Sequence, residues 1–265
     1  MAKRKNKGKN ELVKTLRLAL WGGLALAGIS MILGAMQRKS GAQVSGIVVN
    51  IEPLADGNYL INEEDIPLLL EERFAIPITA FPVGEVNVER LERVLEEDPF
   101  VRSAEAYIDA DNRIQIELIQ REPVLRVIDN NGLNYYLDDA GAKLPPSKHY
   151  AMHLRVATGN LPPYEEDFLG NEDHLLNGVY ELNQLISEDE FLDALIEQIY
   201  VNKRGELILS PKVGKQTILF GRYQKAADKL KRLKVFYREG LPYKGWRLYK
   251  SFDLRYDGQV VCVKR

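Results

Sequence analysis

The side chains best suited to bond-making chemistry in this 265-residue sequence are three histidines, one cysteine and a short acidic run. His149 and His153 stand four residues apart, so on a helix they would share one face and could hold a metal ion. The segment between them lacks the glutamate of the HExxH metalloprotease pattern, and Pro145-Pro146 beside them favours a loop. His174 adds nothing to that pair. Cys262 lies in an apolar strand-like run, where an inert buried thiol is expected rather than a nucleophile. A lone thiol closes no internal disulfide and assembles no Cys-rich zinc site. Glu165, Glu166 and Asp167 are neighbours along the chain, not carboxylates opposed across a cleft as in a glycosidase. No GxxxxGK[ST] phosphate loop occurs. The sequence therefore assigns no catalytic residue, no metal site, no cofactor and no small-molecule substrate, and the expectation is a protein that is not an enzyme.

Composition places most of the chain among folded proteins. At 45% hydrophobic and 28% charged, with 20 Gly and 12 Pro, it is neither disordered nor of low complexity. Charge is uneven. The first 39 residues hold nine basic groups and one acid, whereas the remainder holds 27 basic and 37 acidic groups, which makes nucleic acid an unexpected partner for the larger part. Between Arg17 and Arg38, the stretch 18–36 carries no charge. As a helix it is about 28 Å long, close to the hydrocarbon core of a lipid bilayer. Arg38 and Lys39 separate it from the cleavage-like Ser40-Gly41-Ala42, so an uncleaved anchor is expected rather than a signal peptide. Seven basic residues precede the span, which sets the N-terminus in the cytoplasm and exports the rest to a periplasm or the cell exterior. Ala19, Gly23 and Ala27 form a small-residue stripe for helix packing, a pattern that ordinary membrane-helix composition also produces.

Beyond the span the pattern is α+β. The order expected over 44–121 is β-α-α-β-β: a strand near 44–51, a helix opened by Asn62, a clearer helix after Asn87, and strands near 100–108 and 114–118. Two helices across one face of a small sheet would share a core and leave an outer face and an edge for partners. From 122 onwards the sequence is β-rich with flanking helices. Short strands surround Asp129-Asn130-Asn131-Gly132, no element is assigned within 146–172, and a helix follows Asp173. Ser187 and Glu190 form a capping box for another helix. Strands near 199–201, 207–209 and 217–220 precede a helix from about Tyr223, with Gly240 suited to a left-handed cap. The other side of that helix bears Lys225, Lys229, Arg232 and Lys234, expected to be a solvated face. Residues 252–263 read as strand, and Asp257-Gly258 is compatible with either a hairpin or a glycine bulge.

The run from Leu91 to Leu95, Pro99-Phe100-Val101, Ala104, Ile114, Ile116, Leu118, Arg121-Glu122-Pro123-Val124, Leu137-Asp138 and Gly141 resembles the FtsQ/DivIB family of bacterial division proteins. Asp109-Ala110-Asp111-Asn112 stands where such proteins often carry an aromatic-proline pair. The resemblance implies a cytoplasmic tail (1–17), a transmembrane helix (18–36), a linker (37–43), a POTRA-like domain (44–121) and a β-domain (122–265). It further implies a plasma-membrane protein of the division septum that joins early and late division proteins, binds FtsB with FtsL, and helps control septal peptidoglycan synthesis. Asp253-Leu254-Arg255-Tyr256-Asp257 is similar to the family's terminal strand motif, which receives a strand from FtsB. On that likeness Arg255 and Tyr256 are the partner contacts, with Phe252, Leu254, Gly258, Gln259 and Val260 along the same edge. Backbone groups at an open edge would supply affinity, and alternate side chains would choose the partner. Two other classes are compatible with parts of the pattern. A secretion or outer-membrane assembly component would call for tandem POTRA units or a membrane β-barrel, and a tethered cell-wall hydrolase would call for a nucleophile or metal site, with His149 and Glu166 as the residues to test.

Overall fold

Runs of consecutive strands are interrupted by pairs of helices along the chain. The computed structural model describes residues 20–24, 26–31, 34, 39–245 and 248–265. Residues 20–24 and 26–31 are helical, with Gly23 and Ala27 among them; Ala19 and the expected tail at 1–17 lie outside the described residues. Among the described residues no helix is long and apolar enough to cross a membrane. The chain divides into two units. One gathers the described residues up to Ile51 with Glu63–Glu97 and Ser103–Leu118; the other gathers Glu52–Asn62, Asp98–Arg102 and Ile119–Arg265.

The first unit contains β1 (Gly46–Glu52), α1 (Asp65–Phe74), α2 (Val88–Glu96), β2 (Val101–Ile108) and β3 (Arg113–Gln120). The strands form a sheet of order β1-β3-β2. Alternation along β3 buries Ile114, Ile116 and Leu118, and the helices meet that face with Ile66, Leu70, Leu91 and Leu95. Asn87 caps α2, its side-chain oxygen accepting from the Arg90 N–H at 2.8 Å. α1 begins after Glu64, which makes no side-chain cap, three residues beyond Asn62, and Pro67 falls within its first turn, where proline is tolerated.

The second unit is built on a nine-stranded sheet. Its strands are β4 (Pro123–Ile128), β5 (Asn134–Asp138), β6 (Lys143–Leu144), β7 (Val156–Gly159), β8 (Ile196–Val201), β9 (Leu207–Pro211), β10 (Thr217–Gly221), β11 (Tyr249–Asp253) and β12 (Val261–Lys264). Their order is β12-β11-β10-β9-β8-β7-β4-β5-β6. β7, in the stretch where the sequence shows no pattern, lies between β4 and β8 and runs parallel to both. Helices α3 (Leu175–Ser187), α4 (Glu190–Leu195) and α5 (Ala226–Val235) supply Leu176, Val179, Leu182, Leu192, Leu230 and Leu233 to the core shared with the sheet. The cap of α4 is Asp189, which accepts from the N–H groups of Phe191 and Leu192, and not Ser187, which is still the last residue of α3.

After α5 the chain makes a π-helical turn over Phe236–Gly240 and a short helix, α6 (Leu241–Lys244). Gly240 is therefore right-handed at φ −91°, and the left-handed position falls instead to Gly245 at φ 88°. Nor is the cationic side of α5 uniformly solvated. Lys229 is buried, its ammonium donating to the Arg222 carbonyl at 2.9 Å and lying 4.7 Å from the centre of the Phe220 ring.

Candidate partner-binding edge

The end of the second unit's sheet is a hairpin. β11 runs parallel to β10, pairing Thr217 with Ser251 and Leu219 with Asp253, and β12 returns antiparallel, pairing Asp253 with Val261 and Ser251 with Val263. Of the two geometries open at Asp257-Gly258, the chain adopts the hairpin, and Gly258 takes the positive φ of 71° that its turn demands. β11 is consequently paired on both sides. The open edge is β12, one strand later than the motif alone suggests, and no strand among the described residues pairs with its outer side.

This displacement reassigns two side chains. Phe252 is fully buried, its ring centre 4.9 Å from that of Phe236 and 5.6 Å from that of Tyr237. Leu254 is equally buried, and its N–H donates to the Leu219 carbonyl at 2.9 Å. Both alternate inward, so they hold the edge strand's neighbour to the core and cannot touch a partner. Arg255, Tyr256, Gly258 and Gln259 are exposed, and Val260 is half-buried where β12 begins.

Arg255 already has carboxylates within its own chain. Its Nε and Nη2 donate to the two oxygens of Asp253 at 2.9 and 2.7 Å, and its Nη1 lies 3.5 Å from Glu206. The hydrogen bonds to Asp253 raise the guanidinium's affinity for its proton against the opposing effect of burial. Burial of Asp253 would disfavour its charge, but the side-chain and backbone hydrogen bonds from Arg255 win and hold the carboxyl below its usual value. Gly221 makes room for this arrangement: a Cβ there would stand 2.8 Å from Arg255 Cγ. Tyr256 is 52% exposed and its side chain offers the broad apolar face with a polar tip.

A residue that the sequence places only on a solvated cationic helix face completes the site. Arg232 of α5 donates through Nη1 to the carbonyls of Tyr256 at 2.8 Å and Gln259 at 2.5 Å. Lys225, at the start of the same helix, pairs with Asp257 at 2.7 Å and lowers that carboxyl's pKa. Cys262 sits on β12, packed at the margin of the core, and burial pushes its thiol pKa up. Val263 beside it is 47% exposed.

His149 and His153 lie in irregular chain, and the ring of His149 is within 3.0 Å of the Asn62 side-chain amide. Glu165 lies 3.8 Å from His174, while Glu166 is in the loop before the 3-10 turn Phe168–Gly170. Among the described residues no group of histidine, cysteine and carboxylate side chains is placed to hold a metal ion.

The match to a POTRA-like domain covers residues 43–119, and the match to the FtsQ/DivIB, C-terminal related region covers residues 122–263. No match is found among curated proteins. Since the second match alone takes in more than half of the 265 residues, and runs through the hairpin turn into β12, the chain belongs to the FtsQ/DivIB family.

Proposed function

We propose that this protein is a non-enzymatic scaffold of bacterial division that recruits by strand addition. The observation that carries the proposal is the position of Val261–Lys264 at the margin of the nine-stranded sheet. An incoming strand finds unpaired N–H and C=O groups there, and the exposed Tyr256 and Val263 beside them provide side-chain selection. Family membership supports FtsB, with FtsL, as the partner, and a role linking early and late division proteins in control of septal peptidoglycan synthesis. In this proposal 18–36 anchors the chain once in the plasma membrane with its N-terminus cytoplasmic, 44–121 is the POTRA-like domain and 122–265 the β-domain, both outside the cytoplasm. Gly23 and Ala27, with Ala19, would face a second helix in the bilayer.

The test is depletion in living cells complemented by a chain carrying a photo-crosslinker at position 256. Filamentation on depletion and an FtsB adduct on irradiation are expected. Normal septation during depletion, or an adduct from position 200 on β8 but none from 256, would overturn the proposal.

A further inference from the structure

The connection between β11 and β12 has few backbone partners of its own. Over Leu254–Val260 the chain leaves the sheet, turns through Gly258 and re-enters as β12, so the start of the edge strand is only as well placed as this turn. Arg232 supplies what the ladder does not. Besides Tyr256 and Gln259, its guanidinium reaches the Leu254 carbonyl at 3.4 Å, so one side chain spans the turn from its first residue to the second residue before β12. Nε donates to Asp228 at 3.1 Å, one helical turn earlier, which fixes the plane of the fork. The Arg232 side chain is only 14% exposed, unlike a solvated surface arginine. A groove of 570 Å³ between helix and turn is lined by Arg232 itself with Asp228, Val235, Phe236, Gln259 and Val260.

We infer that Arg232 is a positioning residue for the partner-binding edge. It joins α5 to the hairpin turn so that β12 is held straight and in register before a partner arrives, and the ordering cost of docking is met during folding. The inference rests on the strand-addition reading and adds a residue that does not itself touch the partner. A planar fork is required. Lysine places one point charge where several carbonyls must be reached from a fixed plane, so it does not substitute.

The experiment compares the full-length chain with Arg232→Ala and Arg232→Lys, in detergent for exchange and melting and in cells for capture from position 256. Amide exchange over 249–264 is expected to quicken by about tenfold or more in both variants, while that of β9 and the melting temperature stay near the parent values. Capture is expected to fall several-fold in both. Unchanged exchange over 249–264, rescue by lysine, or uniform acceleration across the sheet with a lowered melting temperature would overturn the inference. So would parental capture by both variants when the parent captures well. If the parent itself captures nothing from position 256, strand addition fails, whatever the exchange shows.

Discussion

Arg255 and Tyr256, adjacent in the chain, have different surroundings. The Arg255 guanidinium closes on Asp253 and Glu206 of its own chain, whereas the Tyr256 side chain projects from the turn. Tyr256→Ala should therefore leave the melting temperature unchanged and lower partner capture several-fold, while Arg255→Glu, which sets a third carboxylate beside two, should lower the melting temperature; equal melting losses in both would contradict this division. Asp253 also gives a pH signature. Its carboxyl is depressed in the folded chain, so the unfolded chain takes up this proton first as pH falls. The contribution is fully present above roughly pH 4 and is lost as pH drops through the lower folded value. Melting curves between pH 7 and pH 3 should show the gap between the parent and Asp253→Asn narrowing on acidification, and a constant gap would be inconsistent with the shift. Elsewhere, Asp138 is fully buried, accepts from Arg121 at 3.0 Å and holds the N–H groups of Ala140 and Ala142. Asp138→Ala leaves the Arg121 charge without that partner and should cost roughly 3 kcal/mol in denaturant unfolding. These motif residues stand out in sequence because a buried ion pair needs particular residue types. Arg232 does not, because binding backbone carbonyls asks nothing of the residue types it holds.

At the level of elements, legibility followed periodicity. β3 and α2 have one buried face each, and their apolar spacing betrays it. β7 does not: only four residues long and flanked on both sides by parallel strands, it lacks the turn and the alternation that announce a hairpin strand. The identity of the edge strand stays open in the sequence for a related reason. Sequence distinguishes inward from outward positions, but whether a second strand returns alongside depends on the turn, and Asp257-Gly258 fits both outcomes. N–H direction alternates along β12. Of Cys262→Pro and Val263→Pro, one removes a donor to β11 and the other removes an outward donor. Both should diminish partner capture, and only one should lower stability, by about 1 kcal/mol. Full capture by both would exclude strand addition at β12.

For the whole molecule, family membership and the α+β plan are readable from motif order, while the proposed membrane anchor rests only on an uncharged stretch between basic flanks. The full chain is expected to remain with membranes through an alkaline carbonate wash and a chain lacking 18–36 to leave them; release of the full chain would refute the anchor. The placement of Cys262 has a practical outcome for such work. The sequence contains a single cysteine, and the fold puts it on the terminal strand with a partly shielded sulfur whose thiolate is disfavoured. Its alkylation is consequently expected to be slow in the resting protein and, on the strand-addition proposal, slower under an added strand. On that proposal the native polypeptide would carry its own occupancy gauge, readable by mass spectrometry without an engineered label.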